Sequence, residues 1–244
     1  MSRRATFATA LRVLRQLRRD PRTLALLFLV PPFLITLFRY LFDAQPQTFD
    51  RVGPPMIGIF PFTTMFVVTS IAMLRERTSG TLERLMTLPL TKLDLLAGYA
   101  VAFATLATAQ AAITSGVAFG LLGLDVQGSV ALVIGLAVCN AVLGMALGLF
   151  VSAFARTEFQ AVQFLPAIVF PQLILCGLLV PRDQMVDALR WISAVLPLTW
   201  AYDGLARAAA GTGGGALVRD VAIVLGAAAL ALALGATTLR RRTG

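Results

Sequence analysis

The chain has 244 residues, 58% of them hydrophobic and 14% charged, with a mean hydropathy of +0.82 and a formal net charge of +9. A soluble domain has about a quarter of its residues charged, so this chain cannot hide its apolar surface in a water-soluble core, and a bilayer is its natural solvent. It has no histidine, and both cysteines, Cys139 and Cys176, lie in apolar runs; this excludes His/Cys metal centres and a disulfide framework, while arginines scattered between apolar runs exclude a nucleic-acid-binding module.

Residues 5–20 predict a helix lying in the membrane interface. Phe7, Ala10, Leu11, Leu14 and Leu17 recur at helical spacing, and Arg12, Arg15, Gln16 and Arg19 take the other face. A basic amphipathic helix of this kind rests on an anionic leaflet. Residues 1–22 are assigned to it and 23–244 to the membrane-spanning domain. A cleaved signal peptide is the rival reading, but the basic region and the apolar run are both too long for one.

Charge-free runs then cover 23–38, 52–74, 95–124, 126–155, 159–181 and 221–239. About 20 apolar residues cross a hydrocarbon core, and backbone polar groups in lipid must be bonded within their own segment. Each run is therefore expected to be a transmembrane helix, the first reaching full length if Arg39 snorkels to the interface. The spans are predicted at 21–42, at 54–74 with Pro54 and Pro55 in its first turn, from 95 to about 122, from the end of an outer loop at 123–129 to about 155, from 158 to about 180, and at 220–239. Residues 91–94 and the pair Thr157 and Gln160 read as capping boxes. Gly116 with Gly120, and Gly144 with Gly148, have the spacing that lets helices pack closely. Spans two to six carry no ionisable group on this reading.

With the N-terminus in the cytoplasm, 15 of the 21 basic residues fall inside and six outside, namely Arg39, Arg51, Arg182, Arg190, Arg207 and Arg219. The positive-inside rule supports that orientation, with both termini cytoplasmic.

The inner segment 75–94 is the longest charged stretch between spans. Leu82, Leu85 and Met86 would line one face of a short helix, with Ser79 or Thr81 as its cap and Pro89 as its stop. Such a helix suits docking into a partner's groove; a solvated loop is the alternative.

Here the sequence resembles the type-2 ABC exporter permeases, which include drug, antibiotic, polysaccharide and lipid exporters. The likeness lies in Arg75-Glu76, in the run Gly80, Thr81, Leu82, Glu83, Arg84, and in Leu88-Pro89. It extends to Pro181, to residues 191–196, to Pro197 through Trp200, and to Leu205 through Arg207. The resemblance implies an all-α membrane protein with six spans, an N-terminal elbow helix, and short re-entrant outer helices at 181–210 before the last span. It implies that 78–89 is the coupling helix resting on the ATPase, with Arg75 and Glu76 at the joint. Pro197, Trp200, Asp203 and Arg207 would form an outer gate, Asp203 and Arg207 pairing one turn apart, and Met185, Leu189, Ile192 and Leu196 would be buried there.

The energy source is expected on another chain. A P-loop needs G-x-x-x-x-G-K-[S/T], yet Lys92 is the only lysine and follows Thr91, and Gly213 to Gly215 lack one. No cofactor is therefore expected on this chain; ATP and Mg would sit on two cytoplasmic ABC ATPase subunits, with a second permease copy or a homologous permease completing a dimer. Phe60, Thr63, Phe66, Val67 and Ser70 of span two and Gln163, Phe164, Phe170 and Gln172 of span five are the candidate substrate pathway, suited to an amphiphilic small molecule or lipid. The expected location is a bacterial plasma (inner) membrane. An ion-coupled secondary transporter is the first rival; a membrane enzyme or a non-transporting scaffold are others.

Overall fold

The computed structural model describes residues 3–81 and 92–238, the side chains of Lys92 and Leu93 apart. All regular structure among them is helical. Six helices are long and apolar enough to cross a membrane.

Helix α1 (Arg3–Arg18) confirms a helix at the start but turns a different face inward. Thr9, Ala10, Val13 and Leu17 are buried, while Phe7 is 68% exposed. The buried stripe runs at steps of three and four along small side chains. Gly98, in the helix that starts at Lys92, is what lets α1 lie so close, since a Cβ there would sit 2.5 Å from Thr9 Cβ. Arg12, predicted to face away, reaches into the bundle, as described below.

Helix α2 (Pro21–Leu41) starts where Asp20 caps it: one carboxylate oxygen accepts the Thr23 amide at 3.2 Å and the other its hydroxyl at 2.7 Å. Helix α3 (Pro46–Thr78) has 33 residues, eight more at its start than expected. Pro46 takes the first-turn role assigned to Pro54 and Pro55, which lie inside the helix instead. Their missing N–H groups leave the carbonyls of Asp50 and Arg51 without intrahelical donors, and Pro61 does the same to Ile57. At 1.5 Å per residue α3 is about 50 Å long, so both its ends project beyond a hydrocarbon core of roughly 30 Å. The charges of Asp50 and Arg51 thus end the lipid-embedded stretch without ending the helix.

Helix α4 (Lys92–Gly120) and helix α5 (Val130–Val151) follow, α5 capped by the Ser129 hydroxyl and ending four residues before the expected limit. Helix α6 (Glu158–Phe164) begins as predicted: Thr157 Oγ1 accepts the Gln160 amide at 3.2 Å, and Gln160 Oε1 accepts the Arg156 amide at 2.9 Å. A π-helical turn (Leu165–Val169) joins it to α7 (Phe170–Leu175). Pro166 and Pro171 each lack a donor, which accounts for the wide turn. This span ends at Leu175, not near Val180, because the chain turns at Gly177 with φ 104°, a region that favours glycine.

The insert before the last span contains α8 (Asp187–Val195) and α9 (Pro197–Ala209). Helix α10 (Gly215–Thr237) starts five residues early and so takes Arg219 and Asp220 into a helix, correcting the charge-free reading of the spans.

The core is the α3–α5 pair, the most extensive interface. Gly144 lies under the Phe62 carbonyl and Gly148 under the Phe66 carbonyl, while Thr69 Oγ1 reaches Met145 O at 3.2 Å. One predicted glycine motif therefore packs helices. The other does not: Cβ atoms at Gly116 and Gly120 would meet nothing within 4 Å. The helices α2 and α6–α7 are the least enclosed, with 17% of each apolar window buried against 61% for α3.

Candidate functional site

Three consecutive residues at the end of α3 tie down the ends of its neighbours. Successive helical residues are about 100° apart, so Arg75, Glu76 and Arg77 point in three directions. Arg75 grips Glu158, at the start of α6, with two bonds of 2.6 and 3.0 Å, and lies 3.7 Å from Asp20 at the head of α2. Glu76, 4% exposed, pairs with Arg12 of α1 at 3.3 Å. The Arg12 guanidinium also donates to the Tyr99 hydroxyl of α4 at 2.5 Å. Arg77 donates to Thr238 Oγ1, just past α10, at 3.2 Å. One turn of α3 thus reaches α1, the cap of α2, the start of α6 and the end of α10, and Arg12 extends the network to α4. The Asp20 carboxyl is held below the usual carboxylate value, first by its bonds to Thr23 and then by Arg75.

Beyond this hub α3 ends on Ser79, whose amide donates to Arg75 O at 2.9 Å. Gly80 follows with φ 71°, the left-handed conformation that terminates helices, and the Thr81 and Ser79 hydroxyls are 2.9 Å apart. Ser79 therefore closes α3. Of the other predicted coupling residues, Leu82, Glu83, Arg84, Leu88 and Pro89 lie outside the described residues, as do Leu85, Met86 and Thr91.

The predicted pathway residues separate into groups. Thr63 and Val67 line a cavity of about 540 Å³ bounded mainly by α1, α2, α3 and α4, with the hub at one end. Phe60 packs edge-on to Phe38 of α2 at 5.8 Å. Phe66 and Ser70 are fully buried between helices and line no such space. Gln172 is structural: its amide donates to Ile168 O at 3.1 Å and its carbonyl accepts the Leu198 amide at 3.4 Å, joining α7 to α9. Phe164 packs beside Leu74, while Gln163 and Phe170 face outward.

At the opposite end, a second cavity of about 850 Å³ is bordered by Asp50, Arg51, Asp125, Arg182, Tyr202 and Asp203 among others. Of the four predicted gate residues, Asp203 borders it. Pro197 opens α9. The Trp200 ring lies between the guanidinium groups of Arg182 and Arg219, at 5.4 and 4.9 Å. Asp203 accepts from Arg182 at 2.7 Å and has Arg207 at 3.8 Å, the expected one-turn pair. Burial pushes the Asp203 carboxyl up, against the pull of the two arginines. Arg207 is bonded more closely to Asp220, which is fully buried and also accepts from Arg219 at 3.3 Å. The expected burial of Leu189 and Ile192 is not found; they are 41% and 50% exposed. Helix α8 is held by Ser193, whose hydroxyl donates to Leu175 O at 2.8 Å, and by Ala194, whose carbonyl accepts from Trp200 Nε1 at 2.9 Å, and its apolar face points away.

The six apolar helices, the N-terminal helix on α4 and the two short helices before the last span are a specific arrangement, and comparison with known proteins places it. The family model described as ABC-2 type transporter matches residues 4–208. The chain belongs to the ABC-2 type transporter family. Its relatives include the probable multidrug ABC transporter permease YbhR of Escherichia coli, 31% identical over 61% of this chain and 41% of that protein. They also include the linearmycin resistance permease protein LnrN of Bacillus subtilis, 28% identical over 73% of this chain and 48% of LnrN. ABC transporter G family member 20 of Dictyostelium discoideum is 29% identical over 64% of this chain and 21% of its own length. The chain thus spans less than half the length of the curated relatives it matches. It is the multi-pass membrane domain of this family.

Partners in the hub and gate that escaped the sequence reading include Arg12, Tyr99, Glu158 and Asp220. The available signal was that Glu76, at the end of an apolar helix, is rarely buried without a partner.

Proposed function

We propose that this chain is the membrane permease subunit of an ATP-driven exporter, powered by a separate ABC ATPase through the segment after α3. The observation that carries this reading is the hub. Any force on residues 78–89 acts on the last turn of α3, and residues 75–77 are bonded to Arg12 of α1, to Asp20 and Glu158 at the heads of α2 and α6 and to Thr238 just past α10, with Tyr99 of α4 held through Arg12. Helix α5 is packed along α3 through glycine. A push there moves the bundle as a unit. Closure of the ATPase in its ATP-bound form would favour one of two bundle arrangements, inward-open or outward-open, by its differential contacts with them.

The names of YbhR and LnrN, a multidrug permease and a resistance permease, support export of an amphiphilic small molecule or lipid. The hub end carries the arginine excess and is assigned to the cytoplasm, with both termini inside a bacterial plasma membrane. The poorly enclosed α2 and α6–α7 faces suit a second permease copy or a homologous permease, and two ATPase subunits, holding ATP and Mg, complete the transporter. The cavity bordered by Arg51, Arg182 and Asp203 then lies on the outer side, and residues 181–210 form its gate.

Vesicle transport tests this. The double substitution Leu82→Asp with Glu83→Arg is expected to abolish transport and substrate-stimulated ATPase activity while leaving membrane insertion intact. Solute movement by the purified chain with no ATPase present would overturn the proposal in favour of ion coupling.

A further inference from the structure

We infer that the cavity between α2 and α3 binds a single-tailed amphiphile bearing a protonated primary amine, with Glu76 as the acceptor for its head. This rests on the permease reading, because it names the class of cargo and the place where cargo leaves the cytoplasmic leaflet. At about 540 Å³ the cavity has the size of a small-molecule site. Its long walls are apolar, formed by Leu26, Val30 and Leu34 of α2 and by Val67 and Ile71 of α3. The two threonines in the wall do not change that. Thr63 and Thr64 donate to Ile59 O and Phe60 O at 2.7 and 2.9 Å, so neither hydroxyl proton is offered to the cavity.

Polar groups gather at one end only, where Asp20, Arg75 and Glu76 line the space. Two of these are fully engaged. Arg75 holds Glu158 and Asp20, and both Asp20 oxygens accept from Thr23. Glu76 is different: Oε1 meets Arg12, but among the described residues Oε2 has no hydrogen-bond partner although the residue is 4% exposed. A buried acceptor without a donor is costly, more so when charged. Asp20 and Glu76 are matched by Arg75 and Arg12, so the charges balance and the unmet need is the single oxygen Oε2. An ammonium group brings three donors, whereas a carboxylate or phosphate head brings none. The apolar length fixes the tail and the vacant carboxylate oxygen fixes the head.

The test uses the full chain in nanodiscs of phosphatidylcholine, with dodecylamine carrying a diazirine at its tail end as photolabel. Labelling is expected on Leu34, Thr63 and Val67, competed by plain dodecylamine but not by dodecanoate. Glu76→Gln is expected to reduce it about ten-fold, the loss of one charge-assisted hydrogen bond. Val67→Trp, which fills the tail channel and leaves the head cluster intact, is expected to reduce it as well. Equal competition by dodecanoate, undiminished labelling in both variants, or labelling confined to the outward-facing Leu29 and Phe33 overturns the inference. Equal competition by added phosphatidylethanolamine makes this a resident-lipid site and overturns the cargo assignment. A vesicle assay of ATP-driven dodecylamine movement separates the two readings: labelling without transport overturns the permease reading alone, and transport without labelling overturns the site alone.

Discussion

Arg75 and Glu158 are 83 residues apart in sequence and bonded by two parallel contacts of 2.6 and 3.0 Å, which fastens the end of α3 to the start of α6. Both side chains are about half exposed, at 53% and 52%. An exposed pair contributes less than about 1 kcal/mol to stability, so its value lies in transmission. Glu158→Gln is expected to leave the thermal midpoint in detergent nearly unchanged and to lower ATP-coupled transport several-fold. A matching fall in stability, or full transport, would count against the hub.

The glycines offer a paired experiment. A Cβ at Gly148 would run into the Phe66 carbonyl, which is backbone and cannot swing aside. Gly148→Ala is expected to cost about 1–3 kcal/mol. At Gly116 nothing lies within 4 Å, so Gly116→Ala is expected to be neutral or to stabilise by up to about 1 kcal/mol through helix propensity. Denaturation of the two variants side by side checks this, and similar costs would contradict the packing described.

Asp20 gives a pH dependence with a defined sign. Its carboxyl lies below the ordinary aspartate value of 3.8 because the Thr23 hydroxyl and amide, then Arg75, favour the charged form. Its contribution is therefore complete above 3.8 and is lost as pH falls through the lowered native value. Asp20→Ala is expected to cost about 1 kcal/mol at pH 7, as loss of a helix cap does, and the gap to the parent protein should close in acid. A gap unchanged between pH 7 and pH 2 would refute the assignment.

Asn140 is 1% exposed on α5, beside Gly58 of α3, and among the described residues neither atom of its amide has a partner. An orphaned buried polar group costs about 1–3 kcal/mol, and leucine has nearly the same shape. Asn140→Leu is expected to stabilise the protein by that order, read from unfolding in detergent. Destabilisation would mean that the amide is satisfied by a bound molecule.

Much of this fold was legible in the sequence because lipid leaves few choices. Charge-free runs must be helices, and the starts at Pro21 and Glu158 follow from Asp20 and Thr157, whose caps are local. What escaped depends on contacts between distant segments. Asp50 and Arg51 read as loop residues, since nothing local says that α3 continues past the lipid into a polar cavity. Asp220 read as a span boundary, since its burial rests on Arg207 and Arg219. In α1 the hydrophobic stripe was visible, but which face meets the bundle is decided by Gly98 on another helix. Within the predicted pathway, residue type alone did not separate Thr63 and Val67, which border open space, from Phe66 and Ser70, which do not.

The length of α3 has a mechanical consequence. One helix runs from Asp50 and Arg51 at the larger polar cavity to Arg75, Glu76 and Arg77 at the hub. Its three internal prolines, Pro54, Pro55 and Pro61, all fall in the half nearer that cavity. The rod is stiff where it is gripped and compliant where it borders the vestibule. A tilt imposed at the gripped end arrives undiminished at mid-membrane, and the proline-weakened tip is where it can be converted into a change of shape.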